Sequence, residues 1–351
     1  MRPVHVLITR SFSDEWLDRL RAVSPQLAVR QHPAETWAEV PRALWDWVEV
    51  LYTWGAFPDP ADCPNLRWVQ LDTSGSDSAL ASPLGRSRVA ISTLIGVAPP
   101  NMAEHTLMMM MALGRNLPLM LRHQARSHWS TFQYRWDNFT PKELFGATVG
   151  ILGYGSIGRE IGRLAHAFNM RVIAITRSGS AGGDPRLLYE IPQIRGLSGG
   201  EPDHTYASDD LAEAAAQCDF LVLSVPHTPH THHIVNESVL RSMKPTAVLI
   251  NVARGGVVDE AALIRALTEK RIAGAALDVF EQEPLPADSP LWQMDNVIIS
   301  PHIAGLTSRY YDVVLDLFST NLQRYAAGEP LLNQVWPPQS NDDLRQSGVN
   351  R

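Results

Sequence analysis

The stretch Thr148-Val149-Gly150-Ile151-Leu152-Gly153-Tyr154-Gly155-Ser156-Ile157-Gly158 decides how the chain is read. A run suited to a buried strand leads into three glycines spaced G-x-G-x-x-G, and residues 156–168 continue as a helix. In such a turn Gly153 permits the tight bend, Gly155 lets the backbone approach a pyrophosphate, and Gly158 lets helix and strand pack closely. The helix start, with Ser156 and Ile157 in its first turn, offers unpaired amide donors and the positive end of a dipole. A glycine-rich turn without a ligand is the alternative, but the strand, turn and helix context that a dinucleotide site requires is present.

Downstream, residues 172–176, 220–225, 247–251, 274–279 and 297–300 are β-rich and continuously apolar. Strands that are apolar on both faces belong in a sheet covered by helices on both sides. Upstream, residues 4–9, 48–52, 67–71 and 89–92 alternate with amphipathic stretches such as 15–23, which implies another parallel sheet. Residues 102–126 read as one helix with a break near Gly114 and Pro118. The last helix, 306–325, carries an apolar face that needs a partner outside the second sheet. The expected organisation is α/β with two domains: 1–117 and 307–338 as a substrate domain, 118–306 as a cofactor domain, and 339–351 as a polar tail. Residues 179–208 form an insertion longer than the about 2–6 residues usual for such a connection.

At 351 residues the chain exceeds the roughly 100–200 residues of one ordinary domain, so two cores are expected. Its net charge of -7 opposes binding to phosphate polymers, so nucleic acid is an unexpected partner. The apolar run 107–113 is far shorter than the roughly 20 residues needed to cross a bilayer, and the N-terminus lacks the order of a secretion signal. No membrane partner and a cytoplasmic location are expected. Cys63 and Cys218 fit neither a disulfide framework nor a metal spacing. His227, His230, His232 and His233 crowd one segment, but their loop-like spacing without Cys or acidic ligands argues for no metal; His227 is a candidate to line a cofactor cleft instead.

The second strand of the cofactor unit ends in Thr176-Arg177-Ser178, where a dinucleotide site commonly has a carboxylate for the ribose hydroxyls. A guanidinium and a hydroxyl suit a ribose phosphate, which a carboxylate would repel. NADP(H) is therefore the expected preference; if Asp184 in the insertion serves the ribose, NAD(H) takes its place.

Three later segments end apolar strands in polar residues: Asn251-Val252-Ala253-Arg254-Gly255-Gly256, Leu277-Asp278-Val279-Phe280-Glu281-Gln282-Glu283-Pro284, and Ser300-Pro301-His302. Each alone could be ordinary. Together they provide what keto-acid reduction needs, a cation for the carboxylate and an acid able to donate a proton near neutral pH. His302 is the natural donor, a neighbouring Glu283 would favour its imidazolium form, and Arg254 would hold the carboxylate and polarise the carbonyl.

These segments, in this order behind the Gly153 turn, resemble the D-isomer-specific 2-hydroxyacid dehydrogenase family over residues 48–335. The resemblance implies a Rossmann-type doubly wound cofactor domain, a flavodoxin-like discontinuous substrate domain, and a homodimer joined through the cofactor domain. It implies Arg254, Glu283 and His302 as catalytic residues and Asp278 as a ligand of the nicotinamide carboxamide. Thr73-Ser74-Gly75-Ser76-Asp77 is similar to the loop whose amides grip the substrate carboxylate, which nominates Ser74 and Gly75 alongside Arg254 and His302. Met102-Ala103-Glu104-His105-Thr106 is similar to an interdomain helix start, placing Thr106 near the cofactor; Pro226 and Val252 complete the cofactor-binding candidates. Glu283 argues against the formate dehydrogenases of the same superfamily, which carry Gln there. The expected substrate is glyoxylate, hydroxypyruvate or a larger keto acid; Tyr52, Trp54, Tyr134 and Trp136 are candidate walls of the cleft, and aromatic walls would suit glyoxylate less than a larger or aromatic keto acid. The rival function is a non-catalytic, NAD(P)-sensing binding protein of the corepressor type on the same fold.

Overall fold

The computed structural model describes residues 2–181, 189–191 and 200–337. Asp184, residues 182–188 and 192–199 of the insertion, and the expected tail lie outside the described residues. Contacts divide the chain into two compact units, one built from the described residues up to 98, residues 189–191 and those from 307, the other from 99–181 and 200–306.

The first unit opens with β1 (Val4–Ile8), β2 (Leu27–Gln31), β3 (Val50–Thr53), β4 (Trp68–Leu71) and β5 (Ala90–Ser92), all parallel, in the order β5-β4-β3-β1-β2. The second unit holds β6 (Thr148–Leu152), β7 (Arg171–Thr176), β8 (His204–Ala207), β9 (Phe220–Leu223), β10 (Val248–Asn251), β11 (Gly274–Leu277) and β12 (Val297–Ile299), also parallel, in the order β12-β11-β10-β9-β6-β7-β8. The chain then returns to the first unit as the helix Tyr310–Ala327 and β13 (Gln334–Trp336), the latter antiparallel to β5.

That last helix buries Val313, Val314, Leu317, Phe318 and Leu322, and its Phe318 ring lies 4.9 Å from Tyr52 and 5.6 Å from Trp68, centroid to centroid. The apolar face that had no partner in the second sheet thus covers the first. Tyr189 and Ile191 of the insertion are buried in this same core, and the Tyr189 hydroxyl donates to Asp316 at 3.0 Å.

The expected helix over 102–126 is two helices, Pro99–Gly114 and Leu117–Ala125. Between them Asn116 adopts a left-handed φ of 54°, and Pro118 sits in the first turn of the second, where its missing amide costs nothing. The first of these helices belongs to the second unit, whereas the sequence reading carried the first domain to 117. Its Ala103, Leu107 and Met110 are buried in one core with Val149, Ile151 and Ile161, so hydrophobic packing moves the division to residue 98. β2 and β8, unforeseen from the sequence, are edge strands of the first and second sheets.

Strand order reverses at β6 and β9: from β6 the chain winds outward through β7 and β8, then starts again at β9 and winds the other way. In an open α/β sheet, ligands bind beyond the carboxyl ends of the strands at such a reversal. The glycine turn after β6 and the polar ends of β10, β11 and β12 all lie on that edge.

Candidate active site

The glycine turn has the shape a dinucleotide needs. Gly153 adopts φ +95°, and a β-carbon there would come within 2.8 Å of Val225. A β-carbon at Gly158 would meet the Gly153 carbonyl oxygen at 2.2 Å, the close packing of helix on turn expected of the third glycine. Around Gly155 nothing lies within 4 Å of such an atom, so the backbone is open where a pyrophosphate would approach. Gly155 caps the helix Ser156–Ala167, which places Ser156 and Ile157 in its first turn, as read from the sequence. These residues fit a dinucleotide. Arg177 and Ser178 are exposed in the turn after β7, and Pro226 is exposed after β9.

At the other end of the edge the expected partners His302 and Glu283 meet. His302 Nδ1 lies 2.7 Å from Glu283 Oε2, while Glu283 Oε1 accepts the Phe280 amide at 3.0 Å. The carboxylate is thus pinned by its own loop and turns one oxygen to the imidazole. Arg254 follows β10, the neighbour of β11, and donates from Nη1 to the Ala253 carbonyl at 2.8 Å. Asn251, 1% exposed, staples that turn: its amide donates to the Arg254 carbonyl at 3.1 Å and its oxygen accepts from the Ala253 amide at 3.0 Å. A β-carbon at Gly255 would stand 1.8 Å from the Phe280 carbonyl carbon, so only glycine lets the Arg254 turn meet the loop leading to Glu283. The role of Asn251 was legible only as a polar residue closing an apolar strand.

Asp278, expected as a cofactor ligand, makes a set of bonds within the chain. Its buried carboxylate accepts from Ser300 Oγ at 2.5 Å and the Ile303 amide at 2.9 Å on one oxygen, and from the Ala304 amide at 2.9 Å on the other. Its carbonyl also accepts the His302 amide at 2.9 Å. This wraps the chain around His302, whose φ of +55° is a conformation that L side chains seldom adopt and that surrounding bonds must impose.

The sequence reading passed over His105. Its Nε2 lies 3.3 Å from Ser300 Oγ and 3.8 Å from Asp278. Because the Ser300 proton points to Asp278, the hydroxyl has only acceptor capacity left, which assigns the proton to His105 Nε2. Burial pushes the His105 pKa down, against the opposing pull of Asp278. Thr106, expected near the cofactor, is fully buried with its hydroxyl bonded to the Met102 carbonyl at 2.8 Å. Adjacent helical residues point about 100° apart, so the contact with Ser300 falls to His105. Val252 is also buried, at 4% exposure.

The Thr73–Gly75 segment lies in the first unit, at the carboxyl end of β4. Ser74 Oγ donates to the Leu94 carbonyl at 3.0 Å and Thr73 Oγ1 to the Gly75 carbonyl at 2.6 Å. Asp72 anchors its start, accepting from the hydroxyls of Tyr52 and Tyr310 and pairing with Arg10 Nε at 2.7 Å. Burial pushes the Asp72 carboxyl up, and these bonds work against the rise. Tyr52 is therefore a buried support and not a wall residue, whereas Trp54, Tyr134 and Trp136 are exposed. Cys63 and Cys218 are buried free thiols, each pushed up to about 12 by burial. Among the described residues no group of three or more His, Cys, Asp or Glu could hold a metal, and no helix is long and apolar enough to cross a membrane.

A dinucleotide turn and an acid–base pair on one sheet edge make this a nicotinamide-dependent oxidoreductase by layout. A family profile described as the NAD-binding domain of D-isomer specific 2-hydroxyacid dehydrogenases matches residues 107–304. A glyoxylate reductase of Pyrococcus furiosus is 33% identical over 270 residues, 76% of this chain and 75% of that protein. The crystal structure of a D-isomer specific 2-hydroxyacid dehydrogenase family protein from Aeromonas salmonicida aligns with a TM-score of 0.77 at 30% identity, covering 95% of this chain and 98% of that one. A D-isomer specific 2-hydroxyacid dehydrogenase from Xanthobacter autotrophicus, solved with NADPH and MES, aligns at 0.75 and 29% with the same coverage. The chain belongs to the D-isomer specific 2-hydroxyacid dehydrogenase family, and it is an NAD(P)-dependent enzyme of that class.

An Asp278→Asn substitution separates positioning from cofactor binding. Asparagine keeps one accepting oxygen, but its amide nitrogen cannot accept, so either the Ala304 amide or the Ser300 and Ile303 donors lose their partner, and a buried donor left unpaired costs about 1–3 kcal/mol. Turnover should fall roughly ten- to hundredfold, with NADPH affinity by fluorescence titration changed less than about threefold. An equal loss of affinity would return Asp278 to the cofactor.

Proposed function

We propose that the protein reduces a small 2-keto acid, glyoxylate, hydroxypyruvate or a larger homologue, to the D-2-hydroxy acid in a reversible reaction, with NADP(H) preferred over NAD(H). The observation that carries the reading is the 2.7 Å contact between His302 Nδ1 and Glu283 Oε2. With Nδ1 engaged, Nε2 is the ring nitrogen available to a substrate. A nicotinamide held by the glycine turn would supply the hydride that reduces C2. As the carbonyl π bond breaks, His302 Nε2 delivers a proton to the oxygen; the ring is left neutral and regains its proton from solvent. Glu283 stabilises the charged ring before transfer and keeps it oriented, since its other oxygen is fixed by the Phe280 amide. Arg254 takes the substrate carboxylate and lends positive charge to the carbonyl oxygen as electrons move onto it. Ser74 and Gly75 are assigned the same carboxylate through their loop amides.

For the cofactor, the support is the end of β7. It finishes at Thr176 without a carboxylate, and Arg177 and Ser178 are exposed in the next turn. A ribose phosphate meets a guanidinium there and no repelling acid on that strand end. A panel of 2-keto acids followed at the nicotinamide absorbance should give turnover with at least one, and kcat/KM at least about tenfold higher with NADPH than with NADH. A tenfold preference for NADH would overturn the cofactor assignment, and absence of turnover across the panel would overturn the substrate class.

In Glu283→Gln the imidazolium loses its charged neighbour but keeps a hydrogen-bond partner. Reduction should then slow about ten- to hundredfold in kcat, with KM for the keto acid changed less than about threefold. An unchanged kcat would detach Glu283 from the proton donor.

The same reading makes the protein a homodimer joined through the cofactor unit. Trp129, Phe132, Trp136 and Phe145 of that unit are 66–85% exposed, a concentration of aromatic surface that a partner copy would cover. Sedimentation at micromolar concentration should show twice the chain mass, and a monomer would remove this assignment.

A further inference from the structure

The four histidines after β9 are not equivalent. His227 Nε2 is 3.1 Å from His232 Nδ1, and a β-carbon on Gly256 would lie 2.8 Å from that same His227 nitrogen. His232 stacks on His233 at 3.9 Å, and His233 Nε2 pairs with Glu281 Oε1 at 2.8 Å. Three of the rings therefore serve the side of the loop that faces the Arg254 turn. His230 goes the other way: its Nε2 lies 3.4 Å from Ser208 Oγ, just past the end of β8.

That placement brings an imidazole close to the ribose end of the dinucleotide site. β7 and β8 pair in parallel with Thr176 opposite Ala207, so Arg177 and Ser208 are the next residues beyond the matched ends. The turn after Arg177 stays against the same strand end, since a β-carbon at Gly179 would be 3.4 Å from the Ala207 amide nitrogen. Asp209 and Asp210 are exposed just after Ser208, and the Arg159 guanidinium donates to the Ala181 carbonyl in the turn that follows Arg177. A phosphate carrying nearly two negative charges is held better by donors from more than one loop.

We propose that His230 is a second contact for the ribose phosphate of NADP(H), reaching it from the loop after β9 while Arg177 reaches it from the turn after β7. The proposal rests on the NADP(H) reading above and adds to it a specificity-determining residue on a different loop. Its ring N–H donates one hydrogen bond to a phosphate oxygen, which NADH lacks.

The test is fluorescence titration of NADPH and NADH binding, beside steady-state kinetics, for the parent enzyme, His230→Leu and Arg177→Gln. In His230→Leu the ratio of Kd for NADPH to Kd for NADH should rise about three- to tenfold, with the KM ratio following it. An equal rise in both dissociation constants, or an unchanged ratio, would show a structural role and overturn the proposal. If Arg177→Gln raises the ratio and His230→Leu does not, the second contact is wrong while the NADP(H) reading stands. A parent enzyme that prefers NADH, with both substitutions silent, removes the reading itself.

Discussion

The site depends first on one buried carboxylate. Asp278 follows β11, and with three donors directed at its two oxygens its burial does not leave an uncompensated charge. Those donors come from the turn after β12, so the bond set ties the ends of two neighbouring strands together. The tie places His302 at a positive φ between Ser300 and Ile303. Without it, the turn would relax toward a conformation the residue prefers, and the imidazole would lose its line to Glu283. The acid–base pair is thus a consequence of a polar knot beneath it, with His105 closing the knot from the helix Pro99–Gly114.

A second constraint is steric. The Arg254 turn and the loop carrying Glu283 follow adjacent strands, and they can touch only because Gly255 has no side chain. Its would-be β-carbon falls on the backbone of Phe280 and Glu281, which no rotamer can move aside. Hydrogen bonding from Asn251 then fixes the turn along its own axis. Cation and acid–base pair are therefore held by different devices, a close approach for one and a buried carboxylate for the other. Both rest on the rigid sheet edge and not on loop conformation alone, which suits a site whose groups must be within hydrogen-bond reach before the substrate arrives.

Much of this was written in local sequence. The three glycines after an apolar strand specify a turn whose conformations and contacts the structure reproduces residue by residue, because each glycine answers a separate steric need. Continuous apolar runs identified the interior strands β6, β9, β10 and β11, buried at every position. Edge strands escaped for the same physical reason in reverse. β2, Leu27–Gln31, is only partly buried and ends in Arg30 and Gln31, and β8 begins with an exposed His204, so neither shows an apolar run or clean alternation. What could not be read was which of two adjacent helical residues faces the site: His105 and Thr106 differ by one step of the helix, and only packing against Ser300 and Asp278 decides it. Nor does sequence show that residues 189–191, inside a connection of the cofactor unit, supply Tyr189 and Ile191 to the core of the other unit.

The loop after β9 shows how one short segment can serve two chemical tasks. Thr231, buried and bonded through its hydroxyl to the Pro226 carbonyl at 2.6 Å, closes this loop on itself, so its ring-bearing residues are held on a common frame. From that frame His233 accompanies an amide bond of 2.9 Å to the Gly256 carbonyl, while His230 reaches the end of β8. Gly256 lies two residues from Arg254, and Ser208 lies beside the strand end that carries Arg177. The elements assigned to the substrate carboxylate and to the ribose are therefore both in contact with the same seven residues, 227–233. Contact of this kind transmits coupling only if the frame has two arrangements that the ligands distinguish. The closed, hydrogen-bonded turn argues for a single arrangement, and hence for a loop that pre-sets both ends of the site and does not signal between them.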